Sequence, residues 1–181
     1  MRSCPLKTPT GQVLGAVLYT KDITTRKLKE AELAKQAAKD ETTGLLNRRG
    51  FERMANPLMS LSWRQGLSVH IVGIQLLGIS ELTEAQGEIG RDSLISGFAN
   101  LLSNTVRSCD LVGRATENQF LILAIGSDPE ILLNRIRSQS EQRNQRLSGL
   151  PPIHWSFGQL LCQPGQTLEQ MIEKVYIQAS L

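Results

Sequence analysis

Residues 107–125, RSCDLVGRATENQFLILAI, limit what this chain can fold into more than any other stretch. Residues 111–115 form a short apolar run, and Thr116, Glu117 and Asn118 break it. Residues 119–125 are apolar throughout and read as a buried strand. The pattern predicts a β-hairpin whose tight turn offers a few polar side chains.

The rest of the chain must supply the cover for that hairpin. At 181 residues there is room for one full domain and an extension, with 40% hydrophobic and 20% charged residues as in ordinary α/β proteins. No apolar run approaches the ~20 residues of a membrane helix. The first residues, MRSCPLKTP, lack the apolar core of a secretory signal. Cys4, Cys109 and Cys162 are odd in number and lack metal-ligand spacing, so free thiols in a reducing cytoplasm are expected. A net charge of +3 is too small to imply nucleic acid. The first 49 residues nevertheless hold 10 basic against 5 acidic residues. That excess is either the solvated face of a linker helix or a membrane or nucleic-acid patch.

Residues 5–20 predict a hairpin turning at Thr8-Pro9-Thr10-Gly11. Asp22 can cap a helix running to about Lys39. Leu28, Ala31, Leu33, Ala34, Ala37 and Ala38 give that helix a narrow apolar side. Such a seam suits weak parallel pairing with a second copy, or belongs to a lone surface helix. Asn47 is a second cap, for a helix to about Leu61, and residues 67–76 read as a central strand. Leu94, Ile95, Phe98, Leu101 and Leu102 mark an amphipathic helix ending near Arg107. After the hairpin, Asp128-Pro129 opens a helix lined by Ile131, Leu132, Leu133 and Ile136. Residues 139–149 are polar and read as frayed or looped, 153–162 as a strand and 168–181 as a final helix. His70 and His154 read as packed or surface residues rather than ligands, and Trp63 and Trp155 are too far apart in sequence to argue a stacking platform.

Residues 40–51, DETTGLLNRRGF, resemble the opening of GGDEF domains, the diguanylate cyclase family, D-x-L-T-G-L-x-N-R-R-x-F. Thr42 in place of Leu is the clear departure. The hairpin is similar to that family's signature: R-x-x-D, then Arg, one residue, and G-G-(D/E)-E-F. Arg107, Asp110, Arg114 and Phe120 keep the frame, while Thr116, Glu117, Asn118 and Gln119 stand where Gly-Gly-Asp/Glu-Glu would be. Residues 75–92 align without a gap to D-x-D-x-F-K-x-I-N-D-x-x-G-H-x-x-G-D. Gln75 and Leu77 replace its first two Asp, Ile79 its Phe, Ser80 its Lys, Thr83 its Asn, Glu84 the next Asp, Glu88 its His and Arg91 its second Gly; Gly87 and Asp92 are kept. Ser156-Phe157-Gly158 fits S-(I/V)-G. The resemblance covers roughly residues 40–181. Residues 1–21, followed by Asp22-Ile23-Thr24, look like the last strands and exit of a PAS sensor domain, too little of one to build a ligand pocket.

The resemblance implies an α/β (α+β) fold of the nucleotidyl-cyclase type, β-α-α-β-β-α-β, with a mostly antiparallel central sheet. It implies three parts: PAS remnant 1–21, linker helix 22–39 and a degenerate GGDEF domain 40–181. In this bacterial signalling family two GTP molecules on facing domains join into cyclic di-GMP, with Mg²⁺ or Mn²⁺ held by acids. The family's metal positions here are Gln75, Asn118 and Gln119, all neutral, so no metal, no cofactor and no catalytic residue are expected. Thr83 and Asp92 are the remnant of the guanine site. In the family R-x-x-D binds product, so Arg107, Asp110 and, beside them, Arg114 are candidates for cyclic di-GMP binding; a structural pair is the other reading. The expected role is a non-catalytic, cytoplasmic relay in cyclic di-GMP signalling, acting by dimerisation or through a downstream domain. A cyclic di-GMP receptor, and a cyclase with residual activity or GTP-binding regulator, are the alternatives. Neither nucleic acid nor a membrane is expected as a partner.

Overall fold

The computed structural model describes residues 2–7, 9, 13–19, 38–146 and 151–180. The chain divides into two units, Met1–Gln36 and Ala37–Leu181. In the first unit β1 (Arg2–Lys7) and β2 (Val13–Tyr19) pair antiparallel, with Arg2 opposite Tyr19. This is the expected hairpin, its first strand starting earlier than the sequence suggested. Of the expected linker helix, residues 22–37 lie outside the described residues. Ala38 and Lys39 are described and are not helical, which corrects the expected helix end. Lys39 instead makes an isolated antiparallel bridge with Leu46, and the Ala38 carbonyl accepts the Asn47 N–H at 2.9 Å.

The second unit runs β3 (Leu46–Asn47), α1 (Arg48–Arg64), β4 (Val69–Leu76), α2 (Ile79–Thr105), β5 (Leu111–Arg114), β6 (Gln119–Ile125), α3 (Pro129–Arg146), β7 (Trp155–Leu161) and α4 (Leu168–Ala179). Asn47 caps α1 as expected, its side chain accepting the Gly50 N–H at 2.8 Å. Thr167 and Gln170 form a reciprocal capping box at the start of α4. Gly87, with φ 69° and ψ −171°, breaks α2 into two helical pieces. From β4 onward this gives the expected β-α-α-β-β-α-β order.

Helix α3 departs from the sequence reading. It continues to Arg146 where a loop was expected from Gln139. Its polar residues find partners that the sequence could not display. Thr105 donates to Gln139 Oε1 at 2.7 Å, Trp155 Nε1 to the Ser140 hydroxyl at 3.1 Å, and Arg143 to the Pro151 carbonyl at 3.0 Å.

The five strands lie in the order β3-β5-β6-β4-β7. The β5–β6, β6–β4 and β4–β7 pairs are antiparallel, and the two-residue β3 pairs parallel to β5. Alternation along β4 and β6 directs Val72, Ile74, Phe120 and Ile122 to one face, against α2 and α3. Ile71, Leu121 and Leu123 point to the other, against α1 and α4. On the first face Phe98 meets Phe120 edge-on, ring centroids 5.2 Å apart. On the second, Gly113, Gly73 and Gly158 lie in one cross-strand row with Leu121. A Cβ on Gly158 would run into the Val175 carbonyl, and one on Gly73 would come within 2.8 Å of Val175 Cγ2. The row lets α4 settle onto the sheet.

Candidate functional site at the hairpin end of the sheet

The β5–β6 hairpin, the end of β4 and the start of α2 meet at one edge of the domain. Gln75 on β4 lies opposite Gln119 on β6, and Leu76 leads through left-handed Gly78 (φ 72°) into α2. No described non-glycine residue has positive φ. The hairpin turn therefore accepts Thr116 and Glu117 without backbone strain.

The turn is held from inside by Arg114, 9% exposed. Its Nε donates to the Thr116 carbonyl at 3.1 Å and a terminal nitrogen to the Glu117 carbonyl at 2.8 Å. The other terminal nitrogen reaches Asp40 Oδ1 at 3.0 Å. Burial pushes the Asp40 carboxyl up, but hydrogen bonds from the Thr43 hydroxyl, Arg114 and the Thr43 N–H outweigh it and leave its pKa below the ordinary 3.8. Asp40, Arg49, Arg114 and Glu117 border a cleft of about 630 Å³ that also includes the start of α1.

The three amides expected at the family's metal positions are engaged within the chain. Asn118 accepts the Leu76 N–H through its backbone carbonyl at 2.8 Å and donates its side-chain N–H to the Leu76 carbonyl at 3.2 Å. Gln119 Oε1 accepts the Thr116 hydroxyl at 3.2 Å, and Gln75 Oε1 accepts the Ser180 hydroxyl at 3.4 Å. Thr83 donates its hydroxyl to the Ile79 carbonyl, one turn back in its own helix, at 2.8 Å. Asp92 is paired with its neighbour Arg91, Nε to Oδ1 at 3.1 Å. Arg91 extends on to Glu117 Oε1 at 3.2 Å. Two departures from the family pattern, at 91 and 117, thus form a salt bridge with each other across the site.

Arg107 and Asp110 lie at the start of the hairpin and play unequal parts. Asp110, 9% exposed, accepts the Arg107 backbone N–H on one oxygen and the Ile125 N–H on the other, each at 3.0 Å. The Arg107 side chain is exposed and has no partner among the described residues. The depression beside the two residues is only about 10 Å³. Arg114 belongs to the other end of the hairpin and does not join them. His70 sits on β4 toward the end remote from the turn, its Nδ1 buried without a partner. His154 is exposed.

A family model described as "Diguanylate cyclase, GGDEF domain" matches residues 37–178. The chain belongs to the GGDEF family. Probable diguanylate cyclase DgcE of Escherichia coli K12 is 28% identical over 119 residues, 66% of this chain and 11% of that protein. Diguanylate cyclase DgcM of the same strain is 26% identical over 161 residues, 85% of this chain and 38% of that protein. The chain thus spans well under half the length of these curated relatives. Among solved structures, diguanylate cyclase SiaD of Pseudomonas aeruginosa, in complex with its activator SiaC, superimposes with a TM-score of 0.72 at 22% identity, covering 86% of this chain and 62% of that one. The GGDEF domain of DgcB from Caulobacter crescentus, in complex with c-di-GMP, gives 0.66 at 16% identity over 78% of this chain and 86% of that one.

The amides expected at the metal positions are a poor donor set for a hard divalent cation. Gln75, Asn118 and Gln119 supply no negative charge to offset the dehydration of a hard divalent cation. Among the described residues no three of His, Cys, Asp or Glu are grouped as metal ligands. No described helix is long and apolar enough to cross a membrane. Sequence reasoning missed the Asp40–Arg114 clasp and the Arg91–Glu117 bridge. Asp40 and Arg114 both stood in motifs it had matched, but nothing along the chain couples them.

Proposed function

We propose that this GGDEF domain is a signalling module of cyclic di-GMP pathways that does not itself make cyclic di-GMP. It relays an upstream state by dimerisation or by contact with a neighbouring domain. One observation carries the reading: Gln75, Asn118 and Gln119 are neutral, and each is tied by the chain's own hydrogen bonds. A metal–triphosphate complex needs carboxylate charge at those positions. Supporting it, Asp92 and Thr83, remnants of the guanine site, are engaged by Arg91 and by the Ile79 carbonyl. Glu117 adds negative charge where a triphosphate would lie.

A second reading, a cyclic di-GMP receptor, is favoured by the Arg107 guanidinium, which has no partner among the described residues and suits phosphate and guanine edges alike. It has less support from Asp110, whose two oxygens already accept backbone N–H groups, and from Arg114, enclosed by Asp40 and the turn. Titration calorimetry on the whole chain separates the readings. The relay predicts no heat with cyclic di-GMP, or with GTP and Mg²⁺, at ~100 µM, an affinity of about −5.5 kcal/mol. Cyclic di-GMP binding that Arg107→Ala abolishes would replace the relay with the receptor. GTP binding would replace it with a nucleotide-sensing regulator.

A further inference from the structure

Strand β7 is an edge of the five-stranded sheet, and its outer side is neither fully open nor fully closed. Leu77 N–H bonds the His154 carbonyl and Cys162 N–H the Val69 carbonyl, so in this antiparallel pair the even-numbered residues 154–162 face β4. The backbone groups of Ile153, Trp155, Phe157, Gln159 and Leu161 therefore point outward. Two side-chain amides occupy part of that row. Asn144 of α3 both donates to the Ile153 carbonyl at 3.0 Å and accepts its N–H at 2.8 Å, as a neighbouring strand would. Gln178 of α4 accepts the Gln159 N–H at 3.1 Å. Between these plugs, the outward N–H and C=O of Trp155 and Phe157 have no partner among the described residues.

The window opens onto a groove. Its floor is the Trp155–Phe157 pair, ring centroids 5.9 Å apart, on the α3 side of the sheet. Its wall is α3, with Arg137, Ser140 and Glu141, and His154 closes one end; the volume is about 330 Å³. Arg137 bonds only the neutral Asn134, at 3.0 Å, and Glu141 has no side-chain partner among the described residues. Helix α3 runs opposite to β7, since Glu130 meets Gln159 while Asn144 meets Ile153. The cation therefore stands toward Phe157 and the anion toward Trp155.

We propose that this window is a docking site for a short extended peptide, which adds to β7 as a sixth strand. Only an extended backbone offers alternating N–H and C=O groups at the spacing that Trp155 and Phe157 present. Asn144 closes the Ile153 end of the row, and the groove of about 330 Å³ beside α3 brings Arg137 and Glu141 to the strand that adds there. An antiparallel peptide meets Arg137 with an acidic residue near its N-terminal end and Glu141 with a basic one near its C-terminal end. A small β-branched residue between them, threonine in the probe, rests its methyl group on the aromatic floor. The site does not depend on how the nucleotide face has changed.

The probe is acetyl-Glu-Val-Thr-Val-Lys-amide, titrated into the ¹⁵N-labelled whole chain and followed by NMR. The Trp155 and Phe157 amides are expected to shift and to gain exchange protection, with Kd on the order of 1 mM. The Ile153 and Gln159 amides are protected beforehand. Proline in place of the central Thr should weaken binding at least about tenfold, because it removes a strand donor. The paired surface change Arg137→Glu with Glu141→Arg, which reverses both charges and leaves the fold intact, should weaken the probe several-fold and favour acetyl-Lys-Val-Thr-Val-Glu-amide instead. The proposal is overturned if the two window amides do not respond at ~5 mM probe, if the proline peptide binds equally, or if the charge-swapped peptide shows no preference. It is equally overturned if those amides shift with protein concentration alone, which would assign the edge to a second copy.

Discussion

Asp110 shows how little a residue's type says about its job. Its match to R-x-x-D suggested a ligand contact beside Arg107, yet it holds two backbone N–H groups and is nearly buried. Asp110→Ala leaves both donors without that acceptor and should cost about 1–3 kcal/mol of stability. Arg107→Ala removes a solvated side chain and should fall within ~0.5 kcal/mol of wild type. Denaturant unfolding of the two variants checks the asymmetry, and equal losses would mean that Arg107 has a structural partner. Asp40 carries a pH signature. Its folded pKa lies below 3.8, so its clasp on Arg114 contributes fully above that value and is lost as pH falls through the lowered one. Asp40→Asn should therefore be less stable than wild type at neutral pH and show a shallower acid limb below pH 3.8. Parallel acid limbs in the two proteins would sink this assignment. Both halves of the clasp were visible as motif residues, but 74 residues separate them, and a one-dimensional pattern carries no pairing at that distance. The Arg91–Glu117 bridge, spanning 26 residues, was hidden for the same reason.

Among the elements, those that announce themselves locally were legible: the hairpin from its polar tip, α1 from Asn47, α3 from Asp128-Pro129. What failed was a boundary set from outside. Residues beyond Gln139 look too polar for a helix, but Ser140, Arg143 and Asn144 bond Trp155, Pro151 and Ile153. Tertiary partners extend α3 past the point where its apolar stripe ends. The glycine row was equally silent, because only the seating of α4 gives Gly158 its purpose. Gly158→Ala must push the Val175 backbone away and should destabilise the fold by about 1–3 kcal/mol. Thermal melts of this variant decide the point; an unchanged midpoint would show that α4 does not need the close approach.

At the scale of the whole molecule, the GGDEF match spans residues 37–178, while the residues at the positions expected to hold metal and nucleotide differ from the family pattern. The face expected to hold nucleotide carries three amides, a salt bridge between Arg91 and Glu117, and a turn clasped by Arg114 and Asp40. Local restoration of one residue would not rebuild a site altered at so many points. The most direct test is chromatographic detection of product after incubating the purified whole chain with GTP and either Mg²⁺ or Mn²⁺. The expected result is no cyclic di-GMP above the no-enzyme control. Turnover at even ~1 per minute, slow by enzyme standards, would contradict the account.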